Sequence, residues 1–269
     1  MHLFAGVGGG LLADLILGHE PIVAVEWDRY ACQVLRERAA DGWFPGLQVW
    51  EGDVRLFDPS EYAGSVDCIH AGFPCQDISV AGKQAGVGPE TRSGLYREVL
   101  LIAGVVRPRY LFLENVSAIV AGGLDVVLAD LAALGYDAEW LCLRASDCGA
   151  NHHRDRWWLL ADSEKLQRNG SDDNAGISLE RGSLSESGND GWQKDVADTN
   201  STRRQGHRNG PIGRGEEHTM LVVSGWWETE PNVGRVDNGV PNRIHRLKGL
   251  GNAQVPIQAA VAWKLLGGP

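Results

Sequence analysis

MHLFAGVGGG, residues 1–10, is the stretch that decides the fold. MHLF reads as a short strand, and AGVGGG after it as a glycine turn; glycine reaches positive φ and lets backbone come close to a ligand. Residues 10–18 then suit a helix, because Leu11, Leu12, Leu15 and Ile16 share one face. PIVAVEWD (21–28) is a second strand ending in acid, followed by a helix over 29–40. LQVWEGDV (47–54) is a third strand ending at Asp53, and SVDCIHAGF (65–73) a fourth. Further on, a helix at 95–106, the strand RYLFLENV (109–116), a helix at 122–134, DAEWLCLRA (137–145) and RWWLLA (156–161) continue the series. Strands alternating with helices at this spacing predict an α/β fold, a mostly parallel sheet with helices on both faces.

In open parallel sheets the carboxyl ends of the strands line the ligand crevice. Gly6, Gly8 and Gly9 sit after the first strand, Glu26 closes the second and Asp53 the third. An acid in such a place accepts hydrogen bonds from ribose hydroxyls or an adenine amine. The glycine turn alone does not separate a nicotinamide cofactor from a methyl donor, and no GK[ST] follows that would hold a nucleoside triphosphate.

The chain has 269 residues, enough for one main domain and a smaller elaboration. From Asp162 to about Thr219 it is dense in Ser, Asn, Asp and Gly, a composition poor at burying apolar area, and it is expected to be irregular and partly disordered. Order returns near Arg235, with a closing helix at 257–266. Residues 1–161, 162–235 and 236–269 therefore form a main domain, a small region and a returning C-terminal segment. A net charge of −10 argues against a general nucleic-acid binder, although a local basic cleft can coexist with acid elsewhere. The five cysteines contain no CxxC, and the adjacent His152 and His153 have no third placed ligand, so no metal is expected. No run reaches transmembrane length, and a cytoplasmic setting is the default. Ten tryptophans, with adjacent pairs at Trp157–Trp158 and Trp226–Trp227, are read mainly as packing residues.

AGFPCQDIS (71–79) places Cys75 directly after a proline at the end of the fourth strand. A buried structural cysteine needs no such company, whereas a nucleophile at a pocket mouth does. Pro74-Cys75-Gln76, together with Phe4-Ala5-Gly6-Val7-Gly8-Gly9, Glu114-Asn115-Val116, Arg154-Asp155-Arg156 and Gly251-Asn252-Ala253 leading into Val255-Pro256, closely resembles the DNA cytosine-C5 methyltransferases, particularly compact bacterial and phage members. Five motifs stand in the family's order along nearly the whole chain.

The resemblance implies a Rossmann-like S-adenosylmethionine-dependent methyltransferase fold with a small irregular target-recognition region, acting on double-stranded DNA. It implies that Cys75 adds to cytosine C6, making C5 nucleophilic; covalent catalysis of this kind divides one hard step into easier ones. Glu114 would meet the N3 edge as a protonated carboxyl, Arg156 the O2 edge, and Arg154 would support the site. The cofactor pocket would take Phe4, Gly6, Gly8, Gly9, Glu26, Trp27, Asp53, Val54, Pro74, Leu95, Asn252 and Ala253. A target base must leave the duplex to reach such a pocket. Gln76, Ser79, Lys83, Gln84 and Arg92, in a glycine-rich loop over 77–94, are candidates for DNA contact. So are Arg203, Arg204 and Arg208 in STRRQGHRNG (201–210), and Arg243 and Arg246 in NRIHRLK (242–248); Arg235 is a candidate brace. The expected chain is a monomer, with a cognate restriction endonuclease as a candidate partner.

Three departures from the family pattern stand out: His152 where a glutamine usually precedes Arg-x-Arg, Ile78 in place of an aromatic, and little apolar material over 162–235. Two other readings stay open: a transfer-RNA cytosine-C5 methyltransferase, and a catalytically silent DNA-binding homologue.

Overall fold

A computed structural model describes residues 1–74, 94–165 and 241–269. Its centre is a seven-stranded sheet. The strands are β1 (His2–Leu3), β2 (Val23–Glu26), β3 (Gln48–Glu51), β4 (Cys68–Gly72), β5 (Tyr110–Val116), β6 (Asp137–Arg144) and β7 (Asp155–Asp162), in the order β3-β2-β1-β4-β5-β7-β6. The first five pair in parallel, while β7 runs antiparallel between β5 and β6. The chain moves outward from β1 through β2 to β3, then returns to β4 on the other side of β1. That reversal opens a crevice at the carboxyl ends of β1 and β4.

The helices are α1 (Gly9–Leu17), α2 (Arg29–Ala40), α3 (Gly94–Val106), α4 (Ile119–Gly122), α5 (Leu124–Ala133), α6 (Arg243–Asn252) and α7 (Pro256–Leu265). Asp28 caps α2 by accepting from the amides of Tyr30 and Ala31, which supplies acceptors to otherwise orphaned N–H groups. Pro256 opens α7, where its fixed φ suits the first turn and its missing N–H costs nothing.

Strand alternation divides the core into two layers. Leu111, Leu113, Trp157 and Leu159 face one way, onto Val99 and Ile102 of α3 and Val127 and Leu131 of α5. Tyr110, Phe112, Trp158 and Leu160 face the other way, onto Ala259, Ala262 and Trp263 of α7. The adjacent tryptophans thus serve opposite layers, and both are fully buried. Phe112 stacks on Trp158 with ring centroids 5.1 Å apart and meets Trp263 edge-on at 5.3 Å.

The elements follow the sequence reading with local differences. The third strand stops at Glu51; Asp53 instead caps a 3₁₀ turn at Val54–Leu56. The helix expected over 122–134 is α5, which starts at Leu124, and the short α4 precedes it across Gly123. The returning segment carries α6, which has no buried residue and so no strong apolar signature. The expected glycine-rich loop and most of the expected target-recognition region lie outside the described residues.

Candidate active site

Register places the polar residues of the crevice on one face. His2 of β1 pairs with His70 of β4, His70 with Phe112 of β5, and Gly72 with Glu114. In the antiparallel β5–β7 pair, Glu114 lies opposite Trp158 and Val116 opposite Arg156. Glu114 and Arg156 are therefore diagonal neighbours on that same face, a separation that long side chains bridge. Arg156 Nε donates to Glu114 Oε1 at 2.9 Å. Burial, foremost, raises the Glu114 pKa, opposed by the charges of Arg156 and Arg154 and by hydrogen bonds from Gln254 and Arg156.

Arg154 does something different. In a strand, alternation would put it on the same face as Arg156, but it precedes β7, with φ of 29°. Its Nη1 donates to Gly251 O at 2.8 Å and its Nη2 to Ala253 O at 2.6 Å. The guanidinium thus clamps the backbone between α6 and α7. Gln258, fully buried, adds a second tie by donating to Leu143 O and Arg154 O at 2.8 and 3.0 Å. Asn115, on the opposite face of β5, donates to Phe73 O at 3.2 Å and holds the end of β4 one residue before Pro74.

At the cleft's other end, Glu26 accepts from the backbone amides of Gly6 and Asp28, each at 2.7 Å. Both carboxylate oxygens are thereby oriented and keep lone pairs for a ligand. Gly6 and Gly8 have φ of 54° and 95°, which makes the turn one that side-chain-bearing residues enter only with strain. Among the described residues nothing lies within 4 Å of the position a Cβ would take at Gly6. Phe4 is half-buried, and Trp27 stands 70% exposed at the rim. Val54 is buried in the core, with Leu95 packed against that cluster. The Asp53 carboxylate accepts from the Arg55 amide and pairs with its guanidinium. Asn252 and Ala253 line a narrow cleft with Phe4, Gly6, Gly10 and Glu114.

Cys75, Gln76, Ser79, Lys83, Gln84, Arg92, Arg203, Arg204, Arg208 and Arg235 lie outside the described residues. Arg243 and Arg246 fall on α6, where Arg246 Nε donates to Pro241 O at 3.1 Å. Lys248 of the same helix pairs with Asp28 at 2.6 Å.

The sequence reading missed Gln254, His70 and His2, which line this cleft, and Asp14 behind His2. His2 and Asp14 share a 2.6 Å hydrogen bond, and their polar atoms with one of His70 lie within 4.8 Å of one another. Burial, then the charge of His2, pushes the His70 pKa down to about 3. The available signal was GNAQVP (251–256), where a long amide follows the motif resemblance directly.

The pattern of the C-5 cytosine-specific DNA methylases matches residues 1–219, and the chain belongs to that family. It is 34% identical over 163 residues to the type II methyltransferase M.CviJI of Paramecium bursaria Chlorella virus IL3A, covering 60% of this chain and 42% of that one. To M.NgoBI of Neisseria gonorrhoeae it is 32% identical over 168 residues, covering 61% and 50%. To M.HhaI of Haemophilus parahaemolyticus the identity is 32% over 162 residues, covering 59% and 47%. The matched stretches thus cover about half of these relatives or less. A solved DNMT2 mutant of Spodoptera frugiperda shares the fold, with TM-score 0.51 and 21% identity over 62% of this chain and 50% of that one. The architecture is the Rossmann-like fold of S-adenosylmethionine-dependent methyltransferases. Among the described residues no helix is long and apolar enough to cross a membrane.

Proposed function

We propose that this protein methylates C5 of cytosine in double-stranded DNA, using S-adenosylmethionine and a transient bond between Cys75 and cytosine C6. The observation that carries this reading is the buried Glu114 paired with the half-buried Arg156 beside the end of β4, just before Pro74-Cys75 in the chain. Cytosine attack needs an acid at N3 and a donor at O2, and a carboxyl with a raised pKa beside a guanidinium supplies both.

The cleft fits the cofactor. Glu26 presents oriented acceptors to ribose hydroxyls, the turn at Gly6 leaves room for close backbone approach, and Phe4, Trp27, Pro74 and Leu95 offer apolar area. Gly8, Gly9, Asn252 and Ala253 complete the proposed cradle, with Asp53 and Val54 at its far edge. Bound S-adenosylmethionine supplies an electrophilic methyl group on a sulfonium. The Cys75 thiolate forms the bond to C6, while Glu114 gives its proton to N3 and Arg156 holds O2. The electron pair pushed to C5 would take the methyl group as its bond to sulfur breaks, leaving a neutral thioether. Loss of the C5 proton to a base would then expel the thiolate, and N3 would return its proton to Glu114, restoring both the ring and the acid.

The proposed DNA contacts are Gln76, Ser79, Lys83, Gln84 and Arg92 near the flipped base, and Arg203, Arg204, Arg208, Arg243 and Arg246 along the backbone. Residues 1–161 would carry catalysis and 162–235 target recognition, in a monomer marking sites against a partner restriction endonuclease. A duplex carrying 5-fluorocytosine, incubated with the methyl donor, is expected to trap the protein as a covalent adduct seen by mass. Cys75→Ala is expected to abolish it. Absence of any adduct on cytosine-rich duplexes overturns the reading.

A further inference from the structure

Three glycines leave hollows around one side chain. A Cβ on Gly9 would collide with the backbone of Gln254. One on Gly10 would stand 2.7 Å from Gln254 Oε1 and 3.1 Å from His70 Nδ1. One on Gly72 would stand 2.9 Å from Glu114 Oε2 and 3.0 Å from Gln254 Nε2. The carboxamide therefore spans the crevice, its oxygen toward His70 and its nitrogen toward Glu114. It makes hydrogen bonds to both.

This arrangement has one consistent proton pattern. The amide oxygen can only accept and the amide nitrogen only donate. His70 must then carry its proton on Nδ1, leaving Nε2 bare, and among the described residues His70 Nε2 is buried without a hydrogen-bond partner. Gln254 Nε2 and Glu114 Oε2 border the same hollow at Gly72, while Arg156 pairs with Oε1, so each carboxyl oxygen has a donor beside it.

We propose that Gln254 is a positioning residue for the acid of the reaction: oriented by His70, it fixes the Glu114 carboxyl through Oε2 and leaves Arg156 to govern Oε1. The proposal rests on the methyltransferase reading above. It gives the C-terminal segment a part in proton transfer to the base. A donor at Oε2 favours the charged carboxylate, so its removal moves Glu114 titration to higher pH. It also frees the carboxyl to leave its productive orientation, which lowers turnover while substrate binding is retained.

The test is the pH profile of kcat for wild type, Gln254→Leu and Gln254→Glu, with KM for DNA and methyl donor. Gln254→Leu is expected to lose about tenfold or more in kcat with KM changed less than about threefold, the limb belonging to Glu114 moving to higher pH. Gln254→Glu restores the donor only when protonated, so its kcat is expected to approach wild type in acid and to fall steeply as pH rises. Unshifted profiles in both variants, or a loss confined to KM, overturn the proposal. Should Gln254→Leu fail to fold, the tautomer of His70 in the wild-type protein, read by 15N NMR, still decides: Nδ1–H is expected, and an Nε2–H tautomer overturns it. Glu114→Gln keeps the two failures apart. If that variant retains wild-type turnover, the methyltransferase mechanism itself falls; if it is inactive while Gln254 variants behave as wild type, only the positioning role does.

Discussion

His70 shows how a single side chain ties stability to acidity. It is buried, and burial together with the neighbouring His2 holds it neutral, with a pKa near 3 against an ordinary 6.5. A histidine depressed in the folded state contributes stability above its unfolded pKa, and that contribution disappears as pH falls from about 6.5 toward 3. Acidification from pH 6.5 to 5 is expected to remove about 2 kcal/mol through this group alone. Urea denaturation across that interval should therefore show a steeper loss in wild type than in His70→Gln, whose amide does not titrate. Glu114 runs the other way, because burial raises its pKa and shifts it toward the neutral form, so any contribution is lost as pH rises. The sequence named Glu114 through Glu-Asn-Val but gave no hint of His70. In CIHAGF it is one polar position in an apolar strand, and nothing in residue spacing says that residues 2 and 70 are neighbours. The parallel register of β1 with β4 makes them so.

Among the elements, α1 and α3 give opposite answers to the same substitution. Gly9 begins α1 against the Gln254 backbone, which has no rotamer by which to withdraw, so Gly9→Ala is expected to destabilise by roughly 1–3 kcal/mol or to displace the segment. Gly104 lies within α3 with nothing near its missing Cβ, and Gly104→Ala is expected to stabilise by about 0.5–1 kcal/mol. Thermal melts of the two variants beside wild type check both signs. The strands were readable because each is a short apolar run bounded by turn residues. Their exact ends were not: Asp53 looks like the last polar residue of a strand, yet its carboxylate bonds the Arg55 amide and starts a 3₁₀ turn. Arg154 misled for a related reason. The pattern RDR fits strand alternation, but a left-handed residue precedes β7 and turns that guanidinium toward the C-terminal backbone.

For the molecule as a whole, the C-terminal segment belongs to both the core and the cleft. Trp263 is 2% exposed and completes the layer containing Tyr110, Phe112 and Trp158. Trp263→Ala is expected to cost about 3–5 kcal/mol, measured by chemical denaturation. Five motifs in order made the chemistry legible before any coordinates. What that order could not convey is how residues 251–254 return to the glycine turn, since the meeting is set by an arginine clamp and by three absent methyl groups. That return has a consequence in time. The glycine turn leaves the ribosome well before residues 251–254 do. Until those residues follow, the carboxyl on β5 lacks one of its two anchors, so the order of synthesis itself delays the completed centre until the chain past Gln254 has been made.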